Sequence, residues 1–400
     1  MWPTLDDPDV LSPAARLTEK SPPLASPPEH LIHDPQIRQT LNVLKDAIEV
    51  KTPFDADKLE MILTDHPNPT FVIGNYATEE LDLDVIRAFR DNEISAERWS
   101  QPLRFSNLLP GMKISPMFVV WQEKPRVVTD HSASGLNDGI PRSEAKVQYD
   151  DMHPFGRTLR DVKAKHVTQR IILFKSDVSS AFLNLRAHPI WQIRQTVVVD
   201  KFMYIVRRLV FGNRASPRCW CAVSGLLCWI ATQKLDIRGL HVYMDDFFGW
   251  DFADNLIQYR GTQRPRKQVQ LLLFWEAIRC PFSDAKQQHG EVLKIIGFWI
   301  DVNSGSISLS PRSINDLINK INSFLSHRHH ALRDWQRLAG HINWLFNVLP
   351  WGRPALTEFY HKISGKRHQY AMIPLNRTII EDLSWLRTII PIHRDQICQC

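Results

Sequence analysis

Two adjacent acids, Asp245 and Asp246, sit at the crest of an apolar run, Val242-Tyr243-Met244-Asp245-Asp246-Phe247-Phe248. Ionised carboxylates are costly in such a setting unless they are paired or bound to a cation. They are therefore candidate metal ligands. A third acid, Asp177, closes the run Ile171-Ile172-Leu173-Phe174-Lys175-Ser176-Asp177, the pattern of a buried strand that delivers a carboxylate at its end. Lys124 and Arg126 flank a polar turn, where two cations could grip a phosphate chain or simply be solvated; Arg suits bidentate contact with phosphate oxygens. An Asp-Asp pair alone is also what an ordinary surface turn carries, so the surrounding elements decide.

Those elements can be read in outline. Residues 239–243 and 247–250 are aromatic or β-branched enough to be strands joined tightly at Met-Asp-Asp, which makes a β-hairpin with acids at its tip. After Asp177, Ser179 is expected to cap a short helix through Ala181, Phe182 and Leu185. A strand pair over 192–199 and 202–209 turns at Asp200-Lys201 and leads into Phe211-Gly212. Gly212 would let backbone approach something flat, such as a base or sugar. Ser216 reads as an N-cap and Pro217 as a first helical residue, with Trp220, Val223, Leu227 and Ile230 as the buried stripe of a helix ending near Lys234. Upstream, 117–121 and 126–130 predict a hairpin carrying Lys124 and Arg126 near its tip. Downstream come an amphipathic segment over 267–279, then Lys286, a strand over 294–301, helices over 313–325 and 332–347, and one short apolar helix in the tail from 376. Residues 1–30 form a Pro-rich leader expected to be disordered, and 31–99 has helical periodicity at Ile37, Leu41, Leu44 and Ile48 and again at Leu81, Val85, Ile86 and Phe89.

Composition bounds the function classes. Hydrophobic residues at 44% and charged residues at 23% are ordinary for a globular chain, and a net charge of +6 is compatible with a polyanionic partner. The six cysteines include no C-x-x-C pair, which points to a reduced, intracellular setting rather than a zinc site. His327, His329 and His330 beside Arg328 read as a solvated basic turn. No apolar run approaches the ~18 residues of a membrane span. Arg264-Pro265-Arg266-Lys267 is a weak pointer to nuclear access, so nucleus and cytoplasm both stay open.

In order along the chain, Asp177-Val178-Ser179-Ser180-Ala181-Phe182, Phe211-Gly212-Asn213-Arg214-Ala215-Ser216-Pro217 and Tyr243-Met244-Asp245-Asp246 resemble the catalytic palm motifs of reverse transcriptases. Arg126 to Asp130 looks like the fingers segment that grips the triphosphate, Lys286 sits where a later motif often has a lysine, and Ile296-Gly297-Phe298 resembles the primer grip. Leu332-Arg333-Asp334-Trp335-Gln336-Arg337-Leu338-Ala339-Gly340-His341-Ile342-Asn343 and Pro350-Trp351-Gly352-Arg353-Pro354-Ala355-Leu356 are similar to thumb segments of retrotransposon enzymes, nearest to tyrosine-recombinase elements of the DIRS type. The resemblance covers roughly residues 90–385.

The resemblance implies an α+β right-hand polymerase with an antiparallel palm sheet. Its divisions would be a helical N-terminal region (31–110), fingers (111–170), palm (171–305, with a fingers insertion near 190–238), thumb (306–370) and a connection-like stub (371–400). It implies a magnesium-dependent nucleotidyltransferase, an RNA-directed DNA polymerase that extends a primer on an RNA or DNA template from deoxynucleoside triphosphates. Two Mg²⁺ ions, with Mn²⁺ as a substitute, would be held by Asp177, the Val178 carbonyl, Asp245 and, more peripherally, Asp246. Arg126, Lys124, Phe182, Phe211, Gly212 and Lys286 would contact substrate, Phe182 excluding a 2′-hydroxyl. Phe211 stands where some retroviral members carry a Gln, so that contact would fall to backbone or other groups. The expected chain is one truncated before any RNase H domain. The alternatives are a domesticated or degenerate element remnant that binds nucleic acid without polymerising, and an RNA-dependent RNA polymerase, which Phe182 and Met244 disfavour.

Overall fold

The computed structural model describes residues 29–48, 82–104, 108–121, 125–132, 136–137, 140, 145–147, 149–150 and 152–392. The leader up to residue 28, residues 49–81, Lys124 and residues 393–400 lie outside that description.

The helical reading of the N-terminal part holds where it is described. Helices α1 (Glu29–Ile32), α2 (Pro35–Val43) and α3 (Lys45–Ile48) are followed by α4 (Leu83–Ser95). Asp34 caps α2 by accepting from the Gln36 and Ile37 amides at 2.8 and 3.2 Å, and Pro35 supplies the first helical position. Strands β1 (Met117–Val120) and β2 (Arg126–Thr129) then form the expected antiparallel hairpin, with Val120 opposite Arg126.

After α5 (Met152–Lys165) comes β3 (Ile171–Asp177). The turn beyond it departs from expectation. Ser179 does not cap an α-helix; the chain makes a 3₁₀ turn at Ala181–Asn184, entered through Ser180 at φ 58° with no side-chain cap. Residues 189–192 form a short helix, α6 (Pro189–Gln192), so the strand pair is shorter than expected: β4 (Thr196–Val199) and β5 (Phe202–Ile205), joined at Asp200 and Lys201 with φ 50° and 67°. Positive φ at both turn residues matches the twist of the flanking strands. Helix α7 (Ser216–Gln233) starts one residue away from the expected cap. Ala215 occupies the N-cap, and Ser216 turns its hydroxyl to the Val210 carbonyl at 2.8 Å. Its Trp220, Leu227 and Ile230 are buried as the stripe requires.

Strands β6 (His241–Tyr243) and β7 (Asp246–Phe252) form the Asp-Asp hairpin. A second hairpin, β8 (Leu256–Tyr259) and β9 (Thr262–Pro265), escaped sequence reading because its strands are short and show no apolar–polar alternation. It leads into α8 (Arg266–Ala277). Arg264 is buried and donates to the Gln287 carbonyl at 3.0 Å, so this member of the basic run at 264–267 is built into the fold while Arg266 stays exposed. The single strand expected over 294–301 is two. After β10 (Gln288–Gly290), β11 (Val292–Ile295) and β12 (Phe298–Asp301) are separated by Ile296 and Gly297 at φ 48° and 84°, and β13 (Ser306–Leu309) completes a three-stranded antiparallel sheet. The remainder is α9 (Pro311–Leu325), β14 (His329–Ala331), α10 (Leu332–Leu345), α11 (Thr357–Ile363), β15 (Met372–Pro374) and α12 (Arg377–Ile392). His330 lies in β14 with its ring stacked on Phe324, centroids 3.8 Å apart. No helix among the described residues is long and apolar enough to cross a membrane.

The central sheet runs β10-β3-β7-β6, all neighbours antiparallel. Successive side chains of a strand point to opposite faces. Phe174, Val242 and Phe247 enter a core shared with α7 and α8, while Ile171, Leu173, Phe248 and Trp250 enter a second core with Phe155 of α5 and the helices from α9 onward. The sheet is thus covered on both faces, which explains why β3 reads as a continuous apolar run.

Gly249 is opposite Phe174 in the register, and a Cβ there would lie 2.7 Å from the Phe174 ring, itself fully buried. Gly249→Ala is expected to lower stability by about 1–3 kcal/mol through overpacking, measured as a shift in denaturation midpoint at unchanged slope.

Candidate active site

On the face carrying Ile171 and Leu173, β3 continues with Lys175 and Asp177. On the same face β7 runs back from Trp250 and Phe248 to Asp246. The register sets Asp177 against Asp246, so an apolar face ends in a charged patch. Asp245 lies in the two-residue connection between Tyr243 and Asp246, with Met244 at φ 57°. The three candidate carboxylates are therefore brought to one end of the sheet by antiparallel pairing and one tight turn.

The backbone of this end is braced from several sides. The Val178 amide donates to the Asp245 carbonyl at 3.1 Å, and the Ser179 amide to the Pro281 carbonyl at 2.8 Å. Trp220 of α7, buried, donates its indole N–H to the Met244 carbonyl at 2.8 Å. Gln268 of α8 donates to the Lys175 and Gln288 carbonyls at 3.2 and 3.1 Å, tying β3 to β10. The buried Asp150 carboxylate accepts the Val242 amide at 2.8 Å, and Tyr149 packs on Tyr243 with ring centroids 4.3 Å apart. Asp150 and Tyr149 were not singled out from sequence, because nothing local marks a loop that pairs with a strand about 90 residues on.

Each of two acids carries a lysine. Lys286 contacts Asp177 Oδ2 at 2.6 Å, and Lys175 contacts Asp246 Oδ2 at 2.7 Å. Lys286 was a candidate from the sequence; Lys175 was not, although its place two residues before Asp177 puts it on the same face. Burial first, then repulsion from Asp246 and Asp177, pushes the Asp245 carboxyl up from 3.8 to about 6. Burial also raises Asp246, against the opposing pull of Lys175. Among the described residues no three His, Cys, Asp or Glu side chains already converge as a ligand set. The donor chemistry nonetheless fits a hard divalent ion, since the group offers carboxylate oxygens whose mutual repulsion a cation would relieve.

The other candidates fall as follows. Phe182 is buried, and the exposed Phe211 stands edge-on to it with centroids 4.8 Å apart. Gly212 has φ +93°, and a Cβ there would meet the Thr129 carbonyl oxygen at 1.8 Å. The close approach allowed by the missing side chain is thus made by β2 of the chain itself, which anchors the hairpin of Arg126 beside Phe211. Arg126 is exposed at the start of β2, and Lys124 lies outside the described residues. Gly297 abuts Trp344 of α10, whose ring stacks on Phe298 at 4.6 Å, so the β11–β12 turn leans on the following helices.

No protein-family model matches this chain, and no curated protein does. Solved structures do. The foamy viral protease-reverse transcriptase dRH in complex with double-stranded DNA is similar at 14% identity and TM-score 0.55, over 97% of this chain and 61% of that one. The foamy viral protease-reverse transcriptase in complex with RNA/DNA hybrid is similar at 15% identity and TM-score 0.52, over 96% of this chain and 46% of that one. The chain has a reverse-transcriptase-like fold of mixed helices and strands. It spans about three fifths of the first of these chains and under half of the second.

The raised Asp245 carboxyl sets a pH dependence. Below about pH 3.8 the group is protonated folded or unfolded; as pH rises through 6 the folded chain gives up a proton that it holds more tightly, and stability falls. Without divalent ions, Asp245→Asn should therefore be more stable than the parent above pH 6, on the order of 2–3 kcal/mol, with the gap closing towards pH 4. Chemical denaturation in EDTA across that range reads it.

Proposed function

We propose that this chain is an RNA-directed DNA polymerase that adds deoxynucleotides to a primer 3′-hydroxyl. The observation that carries the reading is the pairing of Asp177 with Asp246 across β3 and β7, with Asp245 in the adjoining turn. Asp177, the Val178 carbonyl and Asp245 would hold two Mg²⁺ ions, or Mn²⁺ in their place, with Asp246 more peripheral. Bound there, the ions supply the charge neutralisation and hydroxyl activation that phosphoryl transfer requires.

The chain's own groups take the remaining roles. The brace from Trp220, Asp150 and Gln268 keeps the carboxylates in one geometry, which matters because small displacements of a positioned group cost large factors in rate. Phe211, exposed and edge-on to the buried Phe182, would offer the surface on which the sugar of an incoming nucleotide rests, with Phe182 backing it. Arg126 on β2 offers bidentate contact to a triphosphate, with Lys124 before it. Lys286, more than half exposed on a short 3₁₀ turn, can leave Asp177 to serve as a proton donor.

In the right-hand reading, the β10-β3-β7-β6 sheet is the palm (171–305), the β1–β2 hairpin belongs to the fingers (111–170), and α9 with α10 forms the thumb (306–370), the Ile296-Gly297 turn being the primer grip. Complexes of similar structures with double-stranded DNA and RNA/DNA hybrid support a primed nucleic acid as partner. The sequence of 332–343 and 350–356 supports an origin in a DIRS-type retrotransposon.

Primer extension on RNA and DNA templates tests the reading. Asp245→Asn should slow it on the order of a thousandfold, the weight of ~5 kcal/mol of metal clamping. Full activity in that variant, or template binding without extension under Mg²⁺ or Mn²⁺, overturns the assignment. Phe182→Val should raise incorporation of ribonucleotides relative to deoxynucleotides by about tenfold or more, read from competing-substrate extension.

A further inference from the structure

The two lysines of the site are not equivalent. Lys286 rides on the 3₁₀ turn Asp284–Lys286, and its side chain is 56% exposed. Lys175 belongs to β3, which is hydrogen-bonded on both sides, and its side chain is only 22% exposed against 21% for Asp246. Lys175 faces Phe248 in the register and Asp177 faces Asp246, so Lys175 and Asp246 are diagonal neighbours on one face. Their contact is 2.7 Å.

We propose that Lys175 is the resident counter-cation of Asp246, holding that carboxylate out of the metal-binding set and leaving Asp177 and Asp245 as the primary ligands. The inference rests on the reading of the site as metal-binding. A half-buried carboxylate keeps a fixed ammonium partner, because separating them strands two desolvated charges. A flexible, solvated lysine such as Lys286 yields its carboxylate at much lower cost. An oxygen already bonded to an ammonium is also a weaker donor to a second cation. Mg²⁺ needs only one or two protein carboxylates, so the set stays sufficient without Asp246. Lys175 is thus a positioning residue, acting through Asp246, and it gives a physical cause for unequal roles among the three acids.

Mn²⁺ binding without nucleic acid, followed by the electron paramagnetic resonance of free Mn²⁺, separates the possibilities. Asp177→Asn should weaken binding strongly, while Asp246→Asn should stay within about twofold of the parent. Lys175→Met frees Asp246 to join the set and should tighten binding by about tenfold, the weight of one charged contact. Lys175→Arg, which keeps the cation, and the double variant Lys175→Met/Asp246→Asn, which removes both charges, should return to the parental value. Thermal melts in EDTA check folding and should show Lys175→Met less stable, with stability recovered in the double variant. If Lys175→Met does not fold, Asp246→Asn against Asp177→Asn still decides. Equal loss of Mn²⁺ in those two variants, or an unchanged midpoint in folded Lys175→Met, overturns the inference and leaves the metal-site reading standing. No Mn²⁺ binding by the parent overturns both.

Discussion

Like charges brought together at one end of a sheet must be offset, and the surroundings of β3 and β7 are arranged about that requirement. The register that places Asp177 opposite Asp246 follows from the antiparallel pairing of seven residues on each strand. Slipping by one residue would send Phe248 and Leu173 to the wrong core and the acids to the wrong face. The two cores therefore hold the carboxylates together as firmly as they hold the sheet. Burial first, with repulsion between the acids added to it, holds the Asp245 and Asp246 carboxyls above the usual range, and a lysine is set on each of Asp177 and Asp246.

Rigidity at this point comes from elements far apart in sequence. Trp220 reaches the Met244 carbonyl from α7, Gln268 reaches β3 from α8, and Asp150 reaches Val242 from the loop before α5. Met244 accepts a left-handed backbone conformation in the turn between β6 and β7. Gly212 also takes up a positive φ, and the space of its missing side chain is occupied by the Thr129 carbonyl of β2. A position that from sequence invites a ligand is here filled by the protein's own backbone.

Much of the fold was legible because its signals are local. Apolar runs closing on Asp177 and surrounding Asp245, the stripe Trp220, Leu227 and Ile230, and the turn at Asp200-Lys201 each declare an element within a few residues. Errors fell where a local signal is ambiguous. Ile296-Gly297 looks like strand interior until both residues are found at positive φ, and Ser216 looks like a cap until its hydroxyl is found on Val210. The β8–β9 hairpin, short and partly polar, lacks the alternation by which strands are read.

By itself the sequence determined the order of the main elements around the site, the carboxylates they carry, and a resemblance dense enough to suggest the fold. These follow from periodicity, turn chemistry and motif spacing, all properties of neighbouring residues. Only the tertiary structure decided which face of β3 meets which strand, that Lys175 rather than solvent faces Asp246, and that Asp150 and Gln268 brace the site. Such contacts join residues dozens to a hundred positions apart. They are set by which surfaces can be buried together, a constraint that no single stretch of the chain contains.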